Sequence, residues 1–325
     1  MHMFNKLDNF FGTTKLGSTW KIEILAGLST FLSLSYIFVV NPAILAEGGF
    51  NKSMVFFATV VASALSTIIM GLWAKKPFSL APGLEMNAYV AFVVIGTLGF
   101  VWQDALGAVF WSGVLMLIFN YLKFREGIIK AIPDKLKSGL AAAVGVFLML
   151  IALKVSGVLD YDGIQVTGFG LLGSAEAMVF YVGLIVAFIL KRFKVKGTVL
   201  ISIVAASMLA HLLGIGEVLE PIGISKDMLS GVFAFNLGVI FNPKIFSVIL
   251  ILFIIDFYGS IAKFIGLTRN TTIVDEHGDM PNMKEARYVD GAATVAGAGL
   301  GTTNLTVYVE SAVGIGEGGR TGLVA

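Results

Sequence analysis

Apolar residues arrive in this chain in long runs separated by short charged strings. A helix needs about 20 mostly apolar residues to cross a bilayer. Runs suited to that task cover 22–40, 54–73, 104–122, 138–156, 173–190, 197–214 and 245–267. Three further stretches are weaker. The stretch 78–98 is interrupted by Ala81-Pro82-Gly83, while 287–300 and 302–316 are short and rich in Gly, Ala and Thr. Together they predict ten membrane segments. The apolar run 229–241 is too short to span and is expected at the interface or packed on its neighbours. The stretch before Lys21 lacks the continuous apolar core of a signal peptide, so the first segment reads as an uncleaved anchor.

Composition agrees with this pattern. Hydrophobic residues make up 57% of the 325, charged residues only 14%, and the mean hydropathy is +0.88. A soluble domain averages about 25% charged residues, so the chain reads as an all-α polytopic membrane protein with the lipid bilayer as its surroundings. No cysteine is present, which excludes disulfides and thiolate metal sites. The basic residues are dispersed rather than gathered on one face, so nucleic acid is not an expected partner. No metal-ligand spacing surrounds any of the three histidines, and no Ser/Lys dyad, Asp-rich metal motif or HExxH string suggests an enzyme.

Loop charges orient the segments. With the N-terminus cytoplasmic, the ten-segment reading assigns nineteen Lys and Arg to the inside, Lys263 among them. Only Lys52, Lys154, Lys226 and Lys244 fall outside.

The interrupted stretch carries the first chemical signal. It reads Leu80-Ala-Pro-Gly83-Leu-Glu85-Met-Asn87-Ala-Tyr89, and the tenth segment echoes it as Leu305-Thr-Val-Tyr-Val-Glu310-Ser311-Ala-Val-Gly314. Each has an extended start, then a glutamate, then a small or amide residue. The two segments are seven apart and therefore antiparallel, as an inverted-topology repeat requires; paired broken helices of this kind meet near the bilayer midplane in many carriers. Non-helical backbone survives in a membrane only where protein or a water-filled cavity satisfies it. Pro82 fixes φ, Gly83 is expected to relieve steric limits, and a half-helix from about residue 84 would aim free N–H groups into the cavity. Backbone donors beside a carboxylate suit a flat, neutral solute with several hydrogen-bonding groups.

Three acids fall inside predicted spans: Glu85, Asp256 and Glu310. Each costs at least about 2.5–3.5 kcal/mol near a helix centre. Glu310 has no basic residue in its own segment and is expected to bind or carry a proton. Asp256 is a functional acid or the partner of Lys263, two turns on. Glu85 either caps its half-helix or contacts a ligand. The string Gly314-Ile-Gly316-Glu-Gly-Gly319 matches a dinucleotide fingerprint but lacks its strand–helix setting, so close helix packing is the better expectation.

These residues carry a family resemblance. The strings EILAGLSTFLSLSYIFVVNPAIL (23–45), LAPGLEMNAY (80–89), DFYGS (256–260) and YVDGAATVAGAGLGTTNLTVYVESAVGIGEGGRTGL (288–323) occur in order. In them the chain resembles the nucleobase–ascorbate transporter family (nucleobase:cation symporter type 2), and within it the hypoxanthine/guanine/adenine permease branch. The resemblance implies fourteen segments in an inverted seven-plus-seven repeat with two broken helices, a core domain and a gate domain. On that pattern residues 1–135 hold core segments one to four, 136–244 the gate segments five to seven with an external loop, and 245–325 core segments eight to ten. Segments eleven to fourteen are missing by this count.

The resemblance further implies proton-coupled import of a purine nucleobase by alternating access, a homodimer and a plasma (inner) membrane location. No cofactor is expected beyond a coupling proton or sodium ion. By position, Asp256 and Glu310 are the acids that contact or neutralise the base, Asn87 matches the asparagine of the third segment, and Gly83 and Ser311 line the site. Glu85 stands where the branch has a glycine, and it joins Asp256 and Glu310 as a candidate for proton coupling. Another nucleobase such as uracil or xanthine is the alternative substrate. An anion transporter or channel of similar architecture is the remaining reading.

Overall fold

A computed structural model of the chain describes residues 8, 10–122, 146, 149–150, 152–162, 165–193, 195, 198–215, 226–268, 271–276 and 280–325. The expected segment 138–156 and the boundary at 135/136 lie largely outside the described residues.

The first apolar run folds as two helices, α1 (Trp20–Leu34) and α2 (Ile37–Ala46), broken at Ser35-Tyr36. Thr19 caps α1 by accepting from the Ile22 N–H. The second run is α3 (Lys52–Ile69), capped by Asn51, and it continues as a wide π turn through Met70–Ala74. Then comes the predicted interruption: an extended β1 (Leu80–Pro82), a short α4 (Leu84–Ala88) and a π-helical extension Tyr89–Ile95. Helix α5 (Trp102–Tyr121) follows. A hairpin of β2 (Leu159–Asp162) and β3 (Gln165–Phe169) precedes α6 (Ala175–Arg192) and α7 (Thr198–Leu212). The last third holds α8 (Pro243–Thr268), α9 (Met283–Leu300), β4 (Leu305–Val307) and α10 (Ser311–Gly316).

Among the described residues, four helical stretches are long and apolar enough to cross a membrane: Trp20–Ala46, Lys52–Ala74, Trp102–Tyr121 and Pro243–Thr268. The run 229–241 packs on its neighbours, as expected. Trp111 donates its indole N–H to the Leu237 carbonyl, Asn236 N–H bonds Gln103 O, and Phe235 stacks on Phe110.

The core forms where small residues let backbones approach. Helices α5 and α9 pack closely because a Cβ on Gly113 would stand 2.9 Å from Thr294 Cγ2, and one on Gly291 3.1 Å from Met116 Cγ. The fingerprint-like glycines behave as close-packing residues too. A Cβ on Gly314 would meet Ala26 O on α1 at 2.6 Å. After α9 the chain turns at Gly301 with φ +102°, a conformation that side chains rarely adopt. That turn delivers Thr302–Asn304 and β4 back into the core.

There β4 meets β1. The two pair antiparallel with Leu80 opposite Val307, Ala81 opposite Thr306 and Pro82 opposite Leu305, and all six residues are buried. The half-helices α4 and α10 therefore leave the crossing at opposite ends. The internal echo is a structural pair.

Candidate functional site

Two strands of three residues leave most of their backbone groups without ladder partners, so the flanking residues complete the crossing. Gly83 N–H bonds Asn304 O, and Tyr308 N–H bonds Ser79 O, each at 2.9 Å. The Tyr308 hydroxyl donates to Pro82 O at 2.6 Å. The Ser311 hydroxyl accepts from Ser79 N–H at 3.1 Å and lies 3.0 Å from Ser79 Oγ. Ser311, expected to line the site, thus has its hydroxyl engaged in closing the strand pair.

Gly83 sits at φ −69°, ψ 121°, a region open to any residue, so the expected release of backbone strain is not its role. Space is. A Cβ there would stand 2.4 Å from Met86 Cε, 3.3 Å from Thr306 Cγ2 and 3.5 Å from Glu85 Cδ.

Helix α8 passes beside the crossing and turns one polar face toward it. Asp256, Ser260 and Lys263 are spaced four and three residues apart, which places them on a single helix face. The Lys263 ammonium donates to Glu85 Oε1 at 3.2 Å and to Thr306 Oγ1 at 3.5 Å. Its ion-pair partner is therefore Glu85 and not Asp256, and the bond shown for the Glu85 side chain is this ion pair rather than a helix cap. Lys263 also leaves the set of inside loop charges, because it lies within α8 on a half-buried face.

Asp256 is buried among hydroxyls and an amide. Its Oδ2 lies 3.0 Å from Thr294 Oγ1 and accepts from Asn304 Nδ2 at 3.2 Å; Ser260 Oγ is 3.5 Å from Oδ1. Ser260 Oγ in turn lies 3.2 Å from Thr306 Oγ1. A polar chain thus links Asp256 through Ser260 and Thr306 to the Lys263–Glu85 pair.

Glu310, the residue before α10, is held from the far side. Tyr36, at the break between α1 and α2, donates its hydroxyl to Glu310 Oε1 at 2.7 Å. The other oxygen, Oε2, is buried and has no hydrogen-bond partner among the described residues. Asn87 is fully buried; its Oδ1 accepts from Thr303 Oγ1, and its Nδ2 has no partner among the described residues. Glu310 Oε2 and Asn87 Nδ2 are thus an acceptor and a donor whose hydrogen bonds the described residues leave open, a costly arrangement in a low-dielectric interior.

Sequence reasoning missed two buried acids. Asp290 on α9 is fully buried, although the window 287–300 already contained it. Glu23 on α1 is also fully buried. It accepts from the N–H groups of Arg320 and Thr321 and from the Thr321 hydroxyl, and Glu317 accepts from Ser29 on the same helix. These bonds clamp the chain after α10 to α1. A cavity of about 310 Å³ lies between α1, α3 and β1, lined by Thr30, Phe31, Ser63, Thr67, Ser79 and Leu80 among others. Its walls are largely apolar and hold none of the three acids.

Comparison with known proteins agrees with this architecture. The chain shares its fold with the transmembrane domain of the cyanobacterial bicarbonate transporter BicA, with a TM-score of 0.60 and 14% identity over 94% of this chain and 79% of that one. That common fold is an inverted repeat of transmembrane helices. In sequence the chain is 34% identical to the adenine permease AdeP of Escherichia coli (strain K12), over 98% of this chain and 72% of AdeP. It is 33% identical to the guanine/hypoxanthine permease PbuO of Bacillus subtilis (strain 168), over 94% of this chain and 72% of PbuO. Residues 21–325 match the model of the Permease family, Xan_ur_permease. With the match running through both broken helices and all three site acids, the chain belongs to that family.

Proposed function

We propose that this protein is a secondary active transporter that imports a purine nucleobase by proton symport. The observation that carries the reading is the crossing of β1 and β4: Asp256 joins it through Thr294 and Asn304, Glu85 joins it through Lys263 and Thr306, and Glu310 follows β4 and is held by Tyr36. Relatives at 33–34% identity, one named for adenine and one for guanine and hypoxanthine, support a purine base as cargo. A purine presents ring N–H groups and ring or carbonyl acceptors in one plane. Glu310 Oε2 and Asn87 Nδ2 offer the complementary acceptor and donor.

Proton coupling rests on hydrogen counting at Asp256. Thr294 Oγ1 lies 3.0 Å from both Asp256 Oδ2 and the Leu305 carbonyl, yet a hydroxyl carries one hydrogen. Two acceptors compete for it unless Asp256 holds a proton on Oδ2. The acid then donates to Thr294, and Thr294 donates to Leu305 in β4. Loading a proton on Asp256 thereby tightens a strand that lines the site, and this links proton entry to substrate entry. Glu85 is already neutralised by Lys263, so Asp256 and Glu310 are the coupling acids. Substrate access alternates between the two sides as the core, with its crossing, moves against α6 and α7. In this reading the N-terminus is cytoplasmic, the protein sits in the plasma (inner) membrane as a homodimer, and it acts as a carrier and not an enzyme.

The shared fold also serves a bicarbonate transporter. Three carboxylates against a single cation already tied to one of them disfavour an anionic cargo here. The test is uptake of labelled hypoxanthine by the full-length protein, competed by a panel of purines and pyrimidines, with and without a protonophore. Saturable, protonophore-sensitive uptake competed by purines is the expected result. Uptake of anions but of no base overturns the reading, and so does accumulation at wild-type level by Glu310→Gln.

A further inference from the structure

The coupling scheme leaves the strongest charge pair of the site unused. Lys263 reaches from α8 to Glu85 on α4 and to Thr306 on β4, so one ammonium ties its helix to two elements of the crossing. An ion pair inside a membrane protein is poorly explained by stability, since a well-packed apolar pair of the same volume is often as good or better. Ionisable residues at this depth mark pathways and binding sites by default. The pair is also not sealed: the Lys263 and Glu85 side chains are 17% and 15% exposed.

The valences show what such a pair offers. An ammonium has three hydrogens, and the two contacts to Glu85 and Thr306 leave one to donate. The carboxylate meets Lys263 through Oε1, and its oxygens retain acceptor capacity. The result is a donor and an acceptor held side by side at fixed spacing, neutral overall. Gly83 keeps the approach clear, since a Cβ there would stand 3.3 Å from Thr306 Cγ2 and 3.5 Å from Glu85 Cδ.

We propose that the Glu85–Lys263 pair is a specificity element of the site that reads a donor–acceptor edge of the base, Lys263 donating to a ring nitrogen or carbonyl oxygen and Glu85 accepting from the adjacent N–H. The inference rests on the purine-transport reading above and extends it to two residues outside the proton-coupling step. A 6-oxopurine carries its acceptor and donor in the opposite order from a 6-aminopurine, so a fixed pair favours one order over the other.

The experiment measures inhibition constants of hypoxanthine, guanine, adenine, xanthine and uracil against labelled substrate. It uses the full-length protein, the double variant E85G/K263T and the swapped variant E85K/K263E, each normalised to the amount in the membrane. The swap keeps an ion pair and so guards against loss of folding. The expected result is that the ratio of oxo- to aminopurine affinity changes by about tenfold or more in both variants, the scale on which a site built around hydrogen bonds discriminates analogues. Either variant keeping the wild-type ratio within about twofold, well inside that scale, overturns the inference. If the wild type takes up no base at all, the purine reading fails and the inference falls with it. Uptake with an unchanged ratio sinks the inference alone.

Discussion

Tyr36 and Glu310 are joined by a 2.7 Å hydrogen bond across 274 positions of sequence, and each stands at a break in its segment. Tyr36 occupies the gap between α1 and α2, and Glu310 the step between β4 and α10. One hydroxyl thus fixes the carboxylate that the purine reading assigns to substrate. Removing it takes from Glu310 the side-chain donor it has among the described residues. Tyr36→Phe is expected to weaken apparent affinity for the base by about tenfold, the cost of one charge-assisted bond, with the amount of protein in the membrane unchanged. Uptake titrations of the variant against wild type decide the point; equal affinities remove Tyr36 from the site.

Thr294 is the hinge of the hydrogen count at Asp256. Thr294→Val keeps the shape and removes the relay to Leu305 O. If that relay couples proton to substrate, the variant still binds base but concentrates it less. Expected are an apparent affinity within about twofold of wild type and about a fivefold loss in protonophore-sensitive accumulation, since one lost bond is worth about 1 kcal/mol. Parallel losses in both measurements assign Thr294 to packing instead.

Gly314 and Gly316 form a matched pair within α10. A Cβ at Gly314 would lie 2.3 Å from Thr30 Oγ1 and 2.6 Å from the Ala26 carbonyl, whereas one at Gly316 meets nothing within 4 Å. Backbone cannot retreat as a flexible side chain can, so Gly314→Ala is expected to cost about 1–3 kcal/mol by overpacking. Gly316→Ala is expected to be neutral or slightly stabilising. Thermal unfolding of the two variants in one detergent compares them directly, and equal melting temperatures contradict the α1–α10 packing described above.

Lys76 supplies a pH dependence outside the spans. It follows the span Lys52–Ala74, is 5% exposed, and burial pushes its ammonium down to about 8 from the ordinary 10.5. Between those values the unfolded chain holds a proton that the folded chain has released, so stability rises with pH across that window. Below pH 8 the burial penalty is present in full, about 3 kcal/mol. Lys76→Met is therefore expected to melt higher than wild type at pH 7, and the gap is expected to close as pH approaches 10. A gap independent of pH contradicts this reading.

Much of the arrangement was legible along the chain, and the exceptions have physical causes. Ala81-Pro82-Gly83 announced its break locally, because proline lacks an N–H and cannot continue a helix. The echo at 305–314 was legible for the same kind of reason: small and β-branched residues and a lone acid in a span that should be apolar. The break at Ser35-Tyr36 was not, since neither residue opposes a helix and Tyr36 itself keeps helical angles. A bond to a residue far along the chain accompanies it. The partner of Lys263 was open for a geometric reason. Asp256 shares its helix face, but seven residues of helix rise amount to about 10.5 Å, while Glu85 comes from another element at bonding distance. Asp290 escaped because an acid near the start of a weak span reads as wetted by the interface. It is fully buried all the same, because the packing of α9 against other elements is something no window of hydropathy contains.

The β1–β4 ladder also sets a schedule for making the protein. Leu80 finds an early partner in the Thr67 hydroxyl, but Ala81 and Pro82 depend on β4 and its neighbours, and Tyr308, which bonds Pro82 O, comes 226 residues later. Throughout that interval the first broken helix holds unpaired peptide groups at a depth where lipid offers them nothing. The amino-terminal half therefore cannot reach its final form as it is synthesised. It waits, hydrated or lent a partner by the insertion machinery, until β4 arrives, and a chain released before Leu305 would be one that quality control could tell apart by its unclosed crossing.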